Sequence, residues 1–403
     1  MNKTTDDVVQ EIDEAEDDFD EALEPLDNDE VVEEQYSKQP FRVIYQTNNF
    51  LLPQIRDLIE GDDVNLRPEY QRRLRWTNQQ KSLLIESLLL NVPVPPVFFY
   101  ENDLARYEVM DGQQRLNAIK EFLGNVFPLR GLEILSSLNG RKYIQLPPKV
   151  KRSLDRASIS AIVLLQESRA KLKRAGSHRY YELRRFVFER LNTGGKRLSA
   201  QEIRNAIYGG QFNDEIVRLS RNDIFTKIWG IPGYTKPDLN DYYEEEARQK
   251  NALYKTMGDC QLVLRFFALD KDEQIQGSMK TMLDRAMERN LDCTPEEAKQ
   301  LGVRYVERLS LASELFDGHP FSLNLAGHAY RPVAGIYDGV MIALDGLWHA
   351  RANLLRNKAA IQEAYASLVK EEATTGALTG SANTASDIKT RIDKFRNLFL
   401  RFV

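Results

Sequence analysis

Apolar and polar positions along the chain sort into two regimes. A short apolar stretch from Phe41 to Tyr45 predicts a strand, and Leu51 to Ile59 recurs at helical spacing. Thr77-Asn-Gln-Gln80 is a capping box. The helix it opens, through Leu83, Leu84, Ile85, Leu88 and Leu89, is apolar enough to be mostly buried, and Val92-Pro-Val-Pro-Pro96 ends it. An apolar strand follows from Val97 to Tyr100, with a hairpin turn expected at Glu101-Asn-Asp103. Arg106 to Met110 then reads as a strand with Tyr107 and Val109 on one face. Asp111-Gly112 is a turn, and Leu116, Ile119, Phe122 and Leu123 return to helical spacing. Ile159 to Leu165 suits a buried strand, and Ser199-Ala-Gln-Glu202 opens a helix that stops at Gly209-Gly210. Beyond residue 210 the pattern is predominantly helical: Asp259 to Phe267, Met279 to Met287, a start at Thr294-Pro-Glu-Glu297, one or two helices between Met341 and Val369, and a basic amphipathic one from Asp387 to Phe402. Residues 373–386 read as a flexible loop, and no internal repeat is evident. The predicted fold class is α+β. A small α/β domain at 40–135 precedes a mainly α-helical domain at 136–403, with residues 1–39 as a tail.

Charge sharpens this division. The chain has a net charge of −5. Residues 1–35 hold sixteen Asp or Glu and one Lys, so the remainder carries a net +10. An acidic block with so few large apolar residues is expected to be disordered, as a solubilising tail or as a phosphate mimic over a basic cleft. Between Arg141 and Arg190 fourteen Lys or Arg face four Asp or Glu, densest in Lys149-Val-Lys-Arg152 and Lys171-Leu-Lys-Arg174. Such a run is either a solvated face or a surface for DNA phosphates. Two cysteines, 260 and 293, give no disulfide frame, and no apolar run reaches spanning length. With no basic-then-apolar leader, the expectation is a cytoplasmic protein without a membrane partner.

The candidate chemistry centres on Asp111-Gly-Gln-Gln-Arg115. A strand, a glycine turn and an immediate helix direct unpaired N–H groups and the positive end of the helix dipole at one place, which suits an anion. Gly112 permits close approach of a phosphate, Arg115 can fork onto its oxygens, and the amides of Gln113 and Gln114 suit a sugar or base edge. The same residues also fit a plain turn, with Asp111 as the cap and Arg115 on the surface. Upstream, four arginines (67, 72, 73, 75) surround Tyr70 and Trp76, with the aromatics expected inward and Gln71, Arg72 and Arg73 lining a cleft. Glu86 either orients Arg72 or Arg115 or sits on the wet side of its helix. Asn192-Thr-Gly-Gly195 with Lys196 and Arg197 offers a second phosphate-facing loop, although it lacks P-loop spacing. Glu202 is explained as a cap. Alternatively Glu202 and Asn205, three residues apart, hold a Mg²⁺-bound nucleotide.

Arg67-Pro-Glu-Tyr-Gln-Arg-Arg73, Trp76, Leu84-Ile-Glu-Ser87, Val92-Pro-Val-Pro-Pro96, Asp111-Gly-Gln-Gln-Arg115, Phe188-Glu-Arg-Leu-Asn-Thr-Gly-Gly195 and Leu198-Ser-Ala-Gln-Glu-Ile-Arg-Asn205 occur in order. Together, over residues 40–290, they resemble the N-terminal domain of GmrSD-type restriction endonucleases. Gly112-Gln-Gln-Arg-Leu-Asn-Ala118 is also similar to the Gly-x-x-Arg-x-x-Ala box of ParB and sulfiredoxin-like proteins, where such a turn holds nucleotide phosphates. The resemblance implies a nucleoside triphosphate as ligand, with Mg²⁺ beside it, and DNA as partner in modification-dependent restriction or phage defence. It implies binding roles for Gln71, Arg72, Arg73, Asp111, Gly112, Gln113, Gln114, Arg115, Asn192 and Asn205, and catalytic roles for Asp111, Arg115 and Glu202. Relatives often add a His-Asn-His nuclease. Here the histidines are 178, 319, 328 and 349, and His319, Asn324 and His328 are too close together for that site. Cleavage would then need a partner nuclease subunit, or acidic residues and Mg²⁺ in the ParB-like cleft. A non-enzymatic DNA-binding module is the other reading.

Overall fold

In the computed structural model the described residues are 45–66, 76–165, 185–188, 198–234, 246–323, 330–372 and 384–403, with Glu33, Arg190 and Leu378 as isolated positions. The acidic tail, Gln71, Arg72, Arg73, the Lys171–Arg174 cluster and Asn192 to Arg197 lie outside them. The fold is α+β. The chain forms two compact units that divide between Arg197 and Leu198.

The first unit is built on a five-stranded sheet of order β1-β5-β3-β4-β2, comprising β1 (Tyr45–Leu51), β2 (Val64–Asn65), β3 (Val97–Asp103), β4 (Arg106–Asp111) and β5 (Ser158–Leu164). β5 runs antiparallel to β1 and parallel to β3, and β3 is antiparallel to β4. The expected boundary at residue 135 therefore cuts through a single sheet, because the strand that joins β1 to β3 comes from residues 158–164. Four helices, α1 (Leu52–Glu60), α2 (Asn78–Leu89), α3 (Gln113–Leu123) and α4 (Pro148–Arg156), share one core with Val97, Phe99, Val109, Ile159, Ala161 and Val163. Those strand residues alternate along their strands, as a single buried face requires.

Local signals explain the ends of these elements. Thr77 caps α2 as expected: its hydroxyl accepts the Gln80 N–H at 3.3 Å while the Gln80 side chain accepts the Thr77 N–H at 2.9 Å. Two boundaries differ from the sequence reading. The hairpin turns at Leu104-Ala105 rather than at Glu101-Asn-Asp103, with Ala105 in the left-handed region at φ 57°. The first described strand is Tyr45–Leu51, where the expected strand Phe41 to Tyr45 reaches only Tyr45 and its residues 41–44 lie outside the described ones. It is an edge strand with mostly exposed side chains, so no apolar alternation betrays it.

The second unit is helical among its described residues. It includes α5 (Ala200–Ile207), α6 (Gly258–Ala268), α7 (Pro295–Leu315), α8 (Ala334–Gly346) and α9 (Ala385–Leu400). Among the described residues no helix is long and apolar enough to cross a membrane. α8 and α9 pack closely because Gly339 offers no side chain: a Cβ there would lie 2.3 Å from Cδ2 of the buried Phe395. Gly339→Ala should therefore force the helices apart and cost about 1–3 kcal/mol of stability, read as a lowered urea midpoint. An unchanged midpoint would mean that the ring simply rotates away.

Candidate functional site

β4 delivers Asp111 at its end, Gly112 turns the chain, and α3 begins at Gln113. Gly112 is the N-cap at φ 94° and has no side chain to cap with. A Cβ at this position would stand 2.4 Å from Val97 Cγ1 on the paired strand. Sterics and backbone sign thus both select glycine. The first-turn amides of α3 are left without a side-chain cap, as an anion site requires.

The predicted residues Asp111 to Arg115 come together here, and the fold engages each long side chain. Arg115 donates through one terminal nitrogen to Asp111 Oδ2 at 2.8 Å and through the other to the Pro95 carbonyl. Its side chain is 12% exposed, against 36% for Asp111. Gln113 is buried and donates to the Leu66 carbonyl. Gln114 accepts the Trp76 N–H at 3.2 Å. Leu66 and Trp76, the described residues on either side of 67–75, thus both meet the first turn of α3. The sequence reading did not identify Leu66, Pro95, Trp76 and Val97 as supports for the turn. Only the stiffness of Val92-Pro-Val-Pro-Pro96 hinted that one of its carbonyls could serve as a fixed acceptor.

Glu86 neither orients Arg115 nor faces water. It is 5% exposed, and its carboxylate accepts the N–H groups of Glu133, Ile134 and Leu135 at 3.1, 2.9 and 2.7 Å. Burial pushes its carboxyl up, but the three backbone donors outweigh burial and hold it below the ordinary carboxyl value.

Glu202 and Asn205 stand on α5, in the helical unit. Glu202 closes the capping box, accepting the Ser199 N–H at 2.8 Å while its own N–H meets the Ser199 hydroxyl at 3.1 Å. Asn205 is fully buried; its side-chain oxygen accepts from Gln201 at 2.7 Å and its amide nitrogen donates to Met257 Sδ at 3.1 Å. These contacts give both residues structural work on α5. Among the described residues no three His, Cys, Asp or Glu side chains gather as a metal cluster would.

The sequence model of a family described as the GmrSD restriction endonuclease, N-terminal domain, matches residues 55–209. This is a narrower span than the 40–290 of the sequence resemblance, running from within α1 to just past α5. No curated protein and no solved structure matches the chain.

Proposed function

We propose, because residues 55–209 match the family model of the GmrSD restriction endonuclease N-terminal domain, that the chain is the nucleoside-triphosphate-binding, DNA-engaging component of a restriction or phage-defence system, with the Asp111–Arg115 turn as the nucleotide site. One observation carries the reading: the uncapped start of α3 collects Arg115, Leu66 and Trp76 at a single place. The α3 amides and Gly112 receive phosphate oxygens, and the helix dipole favours their charge. The Arg115 guanidinium has about five N–H donors. Asp111 and Pro95 hold it in place while leaving donors for the ligand.

Asp111 sets a condition on this site. A carboxylate beside the amides repels a bare triphosphate, so binding calls for a divalent cation that Asp111 would help to hold. One half-exposed carboxylate with substrate oxygens fits the way Mg²⁺ is usually held. That ion would neutralise phosphate charge and polarise a phosphoryl oxygen. Asp111 would hold it, and Arg115 would orient the phosphates.

Calorimetric titration with ATP, GTP, CTP and UTP tests the proposal. Wild type should bind at least one of them, and only with Mg²⁺ present. Arg115→Ala should weaken binding about 10- to 100-fold, the usual worth of a charge-assisted hydrogen bond. Asp111→Asn should remove the dependence on Mg²⁺.

A second reading has its own observation: Gln113, Gln114 and Arg115 are all engaged within the domain, so the turn serves as a brace and DNA binding needs no nucleotide. In that case wild type binds no triphosphate, and Arg115→Ala lowers only the melting temperature. Mg²⁺-dependent digestion of a plasmid would instead assign a nuclease activity to the cleft.

A further inference from the structure

The end of α2 and one side of α4 enclose a groove of about 440 Å³, walled on α4 by Lys149, Arg152, Ser153 and Arg156, on α2 by Leu89 and just past its end by Asn91. Lys149, Arg152 and Arg156 are three and four residues apart, a spacing that sets them on one helix face. All three are exposed. Among the described residues none of the three has an acidic partner. The helix sorts its charges by face. Asp155 accepts the Tyr143 hydroxyl at 2.7 Å, and Lys151 lies over the same ring at 4.5 Å. The groove face is left with three cations and no acid. Ordinary solvated surfaces intersperse the two signs, and a concave wall of one sign concentrates the field.

We propose that this groove is a sequence-independent cradle for the phosphate backbone of DNA, resting on the reading above that the domain acts on DNA. The dimensions agree. Seven residues of helix rise about 10 Å, and a DNA strand carries one phosphate per about 3.4 Å of axis, so three cations meet three phosphates. Arg152 and Arg156 fork onto phosphate oxygens, Lys149 adds a point charge, and Asn91 and Ser153 supply neutral hydrogen bonds. The remaining floor is leucine, which reads no base edge. The groove also adjoins the turn along the chain. Asn91 precedes Pro95, the acceptor for Arg115, by four residues, a reach of at most about 14 Å. The proline strut thus joins the backbone cradle to the proposed nucleotide site.

The test is fluorescence anisotropy of the full chain with a labelled duplex across a KCl series. In the variant K149A/R152A/R156A, affinity at low salt should fall. The slope of log K against log salt should flatten by about 2.7, or 0.9 per phosphate. The side chains are exposed, so the melting temperature should hold. Arg156→Ala alone should flatten the slope by about 0.9. R152K/R156K, which keeps the charge, should keep the slope and lose affinity with the forks. A triple variant with wild-type affinity and slope overturns the cradle while leaving the domain's action on DNA intact. A wild-type chain that binds no duplex overturns both. If the triple variant binds duplex normally but fails to bind a synthetic peptide of residues 1–35 that wild type binds, the cradle is likewise overturned and the groove belongs to an acidic segment.

Discussion

Asp338→Ala is expected to destabilise the helical unit by about 3–5 kcal/mol, one of the two largest effects anticipated in this protein. Asp338 on α8 and Arg265 on α6 have side chains 1% and 2% exposed. They pair bidentately: Arg265 Nε donates to Asp338 Oδ1 at 2.9 Å, and a terminal nitrogen donates to the other oxygen. Removing the carboxylate leaves a guanidinium that cannot discharge, with its side chain only 2% exposed. The penalty is that of a buried charge that has lost its carboxylate rather than of a lost contact alone. The pair itself is not the source of net stability, because desolvating both ions offsets much of their attraction. The double variant R265M/D338L should therefore recover most of the loss. A urea-unfolding cycle over wild type, the two single variants and the double variant reads this directly. Additive losses, with the double variant as unstable as the sum of the singles, would show that the two side chains are not coupled and that no stranded charge is at work.

What the chain disclosed beforehand follows from the range of each interaction. Caps act over three residues, so Thr77, Ser199 and Thr294 were readable, and each has both hydrogen bonds of its box. Buried strands and helices announce themselves by apolar density, as in β5 and α2. The polar edge strand β1 has no such signature, and it became visible only through pairing with β5, more than one hundred residues away. The Asp111–Arg115 turn was legible because its geometry depends on neighbouring residues and on the need for glycine at Gly112. The side-chain partners of the turn were not legible. Arg115 meets a carbonyl 20 residues back and Gln113 one 47 residues back, and no local pattern encodes those separations. The pairing of Arg265 with Asp338, 73 residues apart, escaped the reading for the same reason. Glu202 shows the converse: local spacing gave its capping role in full, with both hydrogen bonds to Ser199 in place.

Glu86→Ala should cost about 2–4 kcal/mol, since its carboxylate satisfies three backbone donors that are partly shielded from water, each worth about 1–3 kcal/mol when orphaned. Ile134 and Leu135 both donate to Oε1, at 2.9 and 2.7 Å, and Glu133 to Oε2 at 3.1 Å. Glu86→Gln can keep its oxygen toward the first pair but then turns an NH₂ toward the Glu133 N–H, so it should lose about half as much. The sign of the pH dependence follows from the direction of the shift. The folded carboxyl lies below its ordinary value of 4.5. Its stabilisation is therefore complete above that value and is lost as pH falls through the lowered folded value. In acid, wild type and Glu86→Gln should converge in stability, while above pH 4.5 their difference should stay constant. A difference that persists unchanged into acid would mean that the carboxylate's charge plays no part. The same anchor bears on function. Glu86 lies on the turn of α2 just before Leu88 to Asn91, and its carbonyl accepts the Leu90 N–H at 2.9 Å. It ties the 133–135 loop to the wall of the basic groove. Loosening that tie should weaken duplex binding in Glu86→Ala without flattening its salt slope, because misplaced cations still release counterions but no longer meet phosphates at the right spacing.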